Sequence, residues 1–212
     1  MKPRYSRTII VTLSVISFFS AAEVRAQKSE LTRSEVIPPQ SDLFEVSLGF
    51  NYIRVGNAYP ETRDLDGLEV SAFVNATSWL GIGGEFMAGF GTHSFTVPFF
   101  SKAEIDSQRY VYVFGPRITI WHNAQFRAFA EALAGGAHAE AQATIQSPFT
   151  SASQNVSDDS FATALGAGFD WRIANHLSWR IVKADYLGTN FGNHWQNNFS
   201  ASTSIVYSFG RR

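Results

Sequence analysis

The side chains able to do chemistry in this 212-residue chain are 18 carboxylates, 17 Lys and Arg and 5 histidines, with no cysteine at all. Without thiols there is no disulfide framework and no thiolate metal site. His93, His138 and His194 all fall in or beside long polar stretches. Three imidazoles brought together could ligate zinc, and His138 with Glu140 and a serine could serve a hydrolase acting on lipid acyl groups. Neither reading has a supporting signature, because there is no ligand pair at helical spacing and no nucleophile elbow. The glycines of "GIGGEF" and "GAGF" sit inside alternating segments, not at a strand-to-helix turn, which removes a dinucleotide site. No catalytic residue, metal ligand or cofactor is therefore assigned, and the chain is read as a non-enzyme. A net charge of -1 provides no general attraction to nucleic acid.

The remaining charges are more informative because of what lies between them. In "LFEVSLGFNY" Phe44, Val46, Leu48, Phe50 and Tyr52 alternate with Glu45, Ser47, Gly49 and Asn51. This two-residue period marks a strand with one apolar and one polar face. The same pattern puts Glu69, Glu85, Arg117, Asp170, Arg172, Lys183 and Asp185 on the polar faces of further strands. Glu131 shares a face with Phe129 and Leu133 in "FRAFAEALAGGAH". Pointing it inward leaves an outer face made mostly of alanine, and that is the orientation expected. Pro116 inside a strand predicts a bulge or locally broken pairing.

Eight alternating segments result, the last being "NNFSASTSIVYSFG". Short connections at 76–78, 122–124 and 174–175 alternate with long polar ones at roughly 56–66, 92–107, 141–159 and 188–197. A closed up-and-down antiparallel barrel with turns at one end and loops at the other predicts this order. The first residues carry Lys2, Arg4 and Arg7, an apolar run from Thr8 to Phe19 and small residues up to Ala26. That is the pattern of a secretory signal peptide over 1–26, with Ala22 as the other candidate cleavage site. Residues 27–42 read as a flexible periplasmic tail and 43–210 as the barrel. No later segment is apolar for long enough to cross a membrane as a helix, so a membrane passage must use strands.

A soluble ligand-binding barrel also alternates, but with its apolar face inside. Three features favour lipid outside. Tyr52, Phe90, Tyr110, Phe161, Tyr186 and Phe199 share apolar-face parity at the long-connection end, while Trp171, Tyr207 and Phe209 do so at the turn end. Trp79, Trp121 and Trp179 also lie at the turn end, where they are either girdle residues or rim plugs. Aromatic girdles of this kind suit the two headgroup levels. The polar face is built of Gly, Ser and Asn with charges of mixed sign, as a packed interior network of Glu45, Glu69, Glu85, Arg117, Glu131, Asp170, Arg172, Lys183 and Asp185 requires. The segments are also long enough to cross a bilayer when tilted. An eight-stranded bore is filled by side chains, so it conducts through at most a narrow path, and a permanent network is favoured over an Arg117 gate.

The segments "FGPRITI", "FRAFAEALAGGAHA", "FATALGAGFDWRI", "RIVKADYL" and "NNFSASTSIVYSFG" resemble the OmpA-like family of small outer-membrane β-barrels over about 43–210. The resemblance implies an all-β, eight-stranded transmembrane barrel in the bacterial outer membrane, with a structural or surface-interaction role. The implied partners are outer-membrane lipids and lipopolysaccharide, the barrel-assembly machinery, and an extracellular ligand met through the long loops. A monomer is expected. Ile205, Tyr207 and Phe209 match the family's C-terminal assembly pattern, but Gly210, Arg211 and Arg212 follow. The family's peptidoglycan-binding domain has no counterpart in these residues, so that function is not carried over. A lipid-modifying barrel enzyme and a soluble periplasmic binding barrel remain the alternatives.

Overall fold

The computed structural model describes residues 42–56, 63–97, 101–147, 150–191 and 194–210. The expected signal peptide and nearly all of the expected tail, like Arg211 and Arg212, lie outside the described residues. Eight strands follow in chain order: β1 (Phe44–Val55), β2 (Arg63–Asn75), β3 (Leu80–Val97), β4 (Ser101–His122), β5 (Phe126–Ser147), β6 (Thr150–Ala174), β7 (Leu177–Phe191) and β8 (His194–Phe209). Each pairs antiparallel with its chain neighbours, and β1 pairs with β8 to close an eight-stranded barrel.

Local side-chain chemistry sets the tight turns. Thr77 Oγ1 accepts from the backbone N–H groups of Trp79 (3.2 Å) and Leu80 (2.8 Å). Asn123 Oδ1 accepts from Gln125 (2.8 Å) and Phe126 (2.7 Å) in the same manner. Both are turns in which a side-chain oxygen takes the place of a backbone carbonyl. At the seam, Phe44 pairs with Phe209 and their rings stack at 5.3 Å. The Leu43 N–H donates to the Gly210 carbonyl at 2.9 Å, and Gly210 takes φ 80°, where a side chain would be strained.

Two expectations about the strands need correction. The polar stretches 92–107, 141–159 and 188–197 are for the most part not loops. β3 pairs with β4 out to Val97↔Ser101, β5 with β6 out to Ser147↔Thr150, and β7 with β8 out to Phe191↔His194. At about 3.3 Å per residue, the 12 residues of β1 extend roughly 40 Å, enough to cross a bilayer when tilted. The 25 residues of β6 extend roughly twice as far, so the barrel carries tall hairpins at one end. The second correction concerns parity. Bulges interrupt the alternation between Thr119 and Trp121 and between Arg180 and Lys183. Ile181 and Val182 consequently both face outward, and so do Ile120 and Trp121. At Pro116 the β4–β5 register is interrupted between Phe114↔Ala134 and Arg117↔Glu131 and resumes unshifted.

The outer wall between the ends is apolar. Large side chains from every strand but β5 stand on it, among them Leu48, Leu68, Phe86, Phe114, Leu165, Val182 and Ile205. β5 contributes Ala128, Ala130, Ala132 and Ala134 to this wall, with Phe129, Glu131 and Leu133 turned inward and buried.

Candidate functional site

Alternation carries one charged side chain after another into the bore, where the structure joins them in a continuous network. Near the turn end, Arg180 contacts Asp170 (2.9 Å) and Glu45 (3.0 Å), and Arg127 contacts the same two carboxylates (2.5 and 2.6 Å). Arg117 then bridges inward, contacting Glu45 at 2.7 Å, Glu131 at 2.8 Å and Glu85 at 3.3 Å. Lys183 closes the set, lying 2.5 Å from Glu85, 3.1 Å from Asp185, 3.2 Å from Glu131 and 3.3 Å from Glu69. Every member is buried except Arg127, whose side chain is 25% exposed at the rim.

Aromatic rings stiffen this cluster. The Arg117 guanidinium lies 3.5 Å from the Phe73 ring centroid and 4.3 Å from that of Phe129, with Arg180 4.6 Å from Phe129. Gly168 leaves the space that Phe129 fills, since a Cβ there would meet the ring at 2.4 Å. Six carboxylates face four cations, so each guanidinium and the ammonium are shared between acids.

Of the expected network, Glu45, Glu69, Glu85, Arg117, Glu131, Asp170, Lys183 and Asp185 come together. Arg172 does not. It is exposed at the turn-side rim, where it lines a cavity of about 80 Å³ with Arg127 and Asp170, and no ion pair involves it among the described residues. Two network cations were not singled out from the sequence. Arg127 shares the parity of Glu131, so the signal was present. Arg180 has the wrong parity relative to Lys183 and turns inward only because the bulge at Ile181 resets the alternation.

The bore is not polar throughout. Towards the long-hairpin end Ile53, Met87, Val111, Val113, Leu133 and Leu187 form an apolar layer, each at most 4% exposed. This layer was not expected from the sequence. It follows the charge network along the bore, with Met87, Leu133 and Leu187 each two residues beyond Glu85, Glu131 and Asp185.

The aromatics singled out from the sequence stand on the outer wall. Phe90, Phe161, Trp171, Tyr186, Phe199, Tyr207 and Phe209 are exposed, and Tyr52 and Tyr110 half-buried. Trp79, Trp121 and Trp179 are exposed too and plug no rim. Trp171 and Trp179 neighbour each other at 6.4 Å, and Trp179 Nε1 donates to Thr203 at 2.9 Å.

His138 lies above the apolar band at the level of Tyr110, whose ring it stacks on. Its Nδ1 is 2.7 Å from Asp159 and its Nε2 3.1 Å from Glu140. The hydrogen bond to Asp159, then that to Glu140, raises its pKa above the usual 6.5. With both nitrogens engaged by carboxylates, His138 has none left to take a proton from a serine. The side chains of His93 and His194 lie outside the described residues.

No protein-family model and no curated protein sequence matches the chain. Solved structures do. The attachment invasion locus protein Ail of Yersinia pestis aligns with a TM-score of 0.53 at 18% identity, over 79% of this chain and 99% of that one. The same protein in complex with the heparin analogue sucrose octasulfate aligns with a TM-score of 0.54, at the same identity and coverage. Neisserial surface protein A aligns with a TM-score of 0.46 at 10% identity, over 78% and 97% of the two chains. At this level of identity the likeness to Ail is one of fold.

Proposed function

We propose that this chain is a bacterial outer-membrane β-barrel, exported by the signal peptide at 1–26, that spans the bilayer as a closed wall and acts at the cell surface through its tall hairpins. One observation carries the reading: the polarity of the barrel is inverted relative to a soluble protein. Ion-paired Arg, Lys, Glu and Asp are buried in the bore beside its apolar layer, while large apolar side chains cover the outside. Water would penalise such a wall and acyl chains would not. Tyr52, Phe90, Tyr110, Phe161, Tyr186 and Phe199 then anchor one headgroup level, and Trp171, Tyr207 and Phe209 the other.

The filled bore argues for a surface role over conduction. An aqueous path would have to break both the charge network and the apolar layer. The role proposed is structural or adhesive, not enzymatic, with outer-membrane lipids and lipopolysaccharide as the surroundings of the wall. Among the described residues at the hairpin end, the acids Asp64, Asp66, Glu104, Asp106, Glu140, Asp158 and Asp159 outnumber the cations Arg54, Arg63, Lys102 and Arg109. That balance repels a sulfated ligand of the kind held by Ail in its complex.

Membrane fractionation, heat-modifiable gel migration and planar-bilayer recording test the reading together. The protein is expected in the membrane fraction, with a gel shift on boiling and no stable conductance. Recovery in the soluble fraction without detergent would overturn the membrane placement. Steady conductance steps would overturn the closed bore.

A further inference from the structure

Above the apolar layer the barrel opens into a cavity of about 280 Å³ between the hairpins. Val55, Leu65 and Phe191 form its buried floor, and Val156 stands exposed on its wall. Arg109 is built into the same cavity and is only 8% exposed. Its guanidinium lies 5.1 Å from the Phe191 ring centroid, and its Nη2 donates to Gln196 Oε1 at 3.4 Å.

A guanidinium carries five N–H donors in a planar fork that matches a carboxylate, so it can keep existing partners and still donate to a ligand oxygen. At this depth its charge is screened less than the solvent-reaching Glu140 and Asp158 on the rim, so the buried cation outweighs the rim acids for a group placed beside it. An apolar floor with one buried cationic fork at its side selects a molecule with matching halves. Directly beneath, Ile53 and Met87 are packed to 0% exposure. A ligand entering from the mouth therefore stops there.

We infer that the hairpin-end mouth is a binding site for a small apolar carboxylate, its carboxylate on Arg109 and its aromatic or short aliphatic body against Val55, Leu65 and Phe191. The site holds its ligand and does not pass it on. That the mouth faces outward rests on the surface reading above, but the binding chemistry does not.

The probe is 1-naphthoate, titrated by calorimetry into the full chain folded in detergent, with the neutral 1-naphthalenemethanol as control for micelle partition. Wild type is expected to bind naphthoate. Arg109→Gln is expected to weaken that binding at least about tenfold, the loss of a charge-assisted hydrogen bond, while leaving the alcohol within about twofold. Leu65→Trp fills the floor and is expected to abolish binding of both. Arg109→Lys keeps the charge without the fork and is expected to fall between wild type and Arg109→Gln, which keeps the test open if the glutamine variant does not fold. Equal naphthoate affinity in wild type, Arg109→Gln or Arg109→Lys, and Leu65→Trp overturns the site. A normal boiling-dependent gel shift in the same samples means the barrel reading survives that result.

Discussion

Replacing Arg117 with methionine tests whether the charged interior is a mechanical part of the barrel. The substitution keeps an apolar stem between Phe73 and Phe129 but removes the guanidinium. Three contacts vanish at once, to Glu45 at 2.7 Å, Glu131 at 2.8 Å and Glu85 at 3.3 Å. Each charge-assisted bond is worth roughly 1.5–3 kcal/mol, but the carboxylates keep other partners in Arg180, Arg127 and Lys183. Breaking a buried ion pair by deleting one member costs about 3–5 kcal/mol, and the R117M loss is expected in that range. The charge balance makes the experiment asymmetric. Carboxylates already outnumber cations in the network, so removing a cation strands acids while neutralising one acid relieves the excess. Glu131→Gln is therefore expected to cost less than R117M, and the double variant R117M/E131Q less than the sum. Urea unfolding in lipid vesicles, followed by tryptophan fluorescence, measures all three. A loss below about 1 kcal/mol for R117M, with additive behaviour in the double variant, would refute the claim that the network holds the barrel together.

Deleting Ile181 removes the extra residue of the β7 bulge. Arg180 and Lys183 would then stand two residues apart and share inward parity on a regular strand, so the deletion variant is expected to fold and keep its heat-modifiable gel shift; loss of the shift would contradict the bulge assignment. Gly168→Val places a branched side chain where the Phe129 ring lies, with an expected cost of about 1–3 kcal/mol in the same urea assay, whereas Ala130→Val on the outer wall is expected to cost less. The pKa of His138 is raised in the folded barrel by Asp159 and Glu140. Its contribution is therefore fully present below about pH 6.5 and lost as pH rises through the higher folded value. Backbone amides of the β5–β6 hairpin are expected to exchange more slowly at pH 5.5 than at pH 8.5, after correction for intrinsic rates. His138→Ala should remove that difference, and a difference that persists would show that His138 is not its source.

Strand number, closure and the facing of most side chains were legible because a half-buried strand has a strict two-residue period. Glu45, Glu69 and Glu85 could be placed inside from their apolar neighbours alone. The failures have specific physical causes. Arg180 was missed because one inserted residue, Ile181, shifts the phase, and nothing in "HLSWRIVKADYL" marks where it sits. Arg172 keeps inward parity but lies too close to the turn to be covered. The hairpin extensions read as loops because "AQATIQSPFTSASQNVSDD" is polar on both faces, and a strand in water on both sides has no hydrophobic period. The apolar layer was hidden for the opposite reason. Val111 and Val113 point inward between Tyr110, Tyr112 and Phe114, so "YVYVF" is apolar on both faces and carries no contrast.

The seam between β1 and β8 makes the barrel a nicked ring. Leu43 and Gly210 are already joined by a backbone hydrogen bond at 2.9 Å, at the same end as the turns at 76–79 and 174–177. Every strand would keep both neighbours if a short linker joined Leu43 to Gly210 and the chain were reopened at either turn. Folding order would change: β1 and β8, now the most distant partners in sequence, would become a local hairpin that forms early, and the last strand to close the circle would be another. The wall has a fixed circumference, but its starting point is interchangeable among the turns.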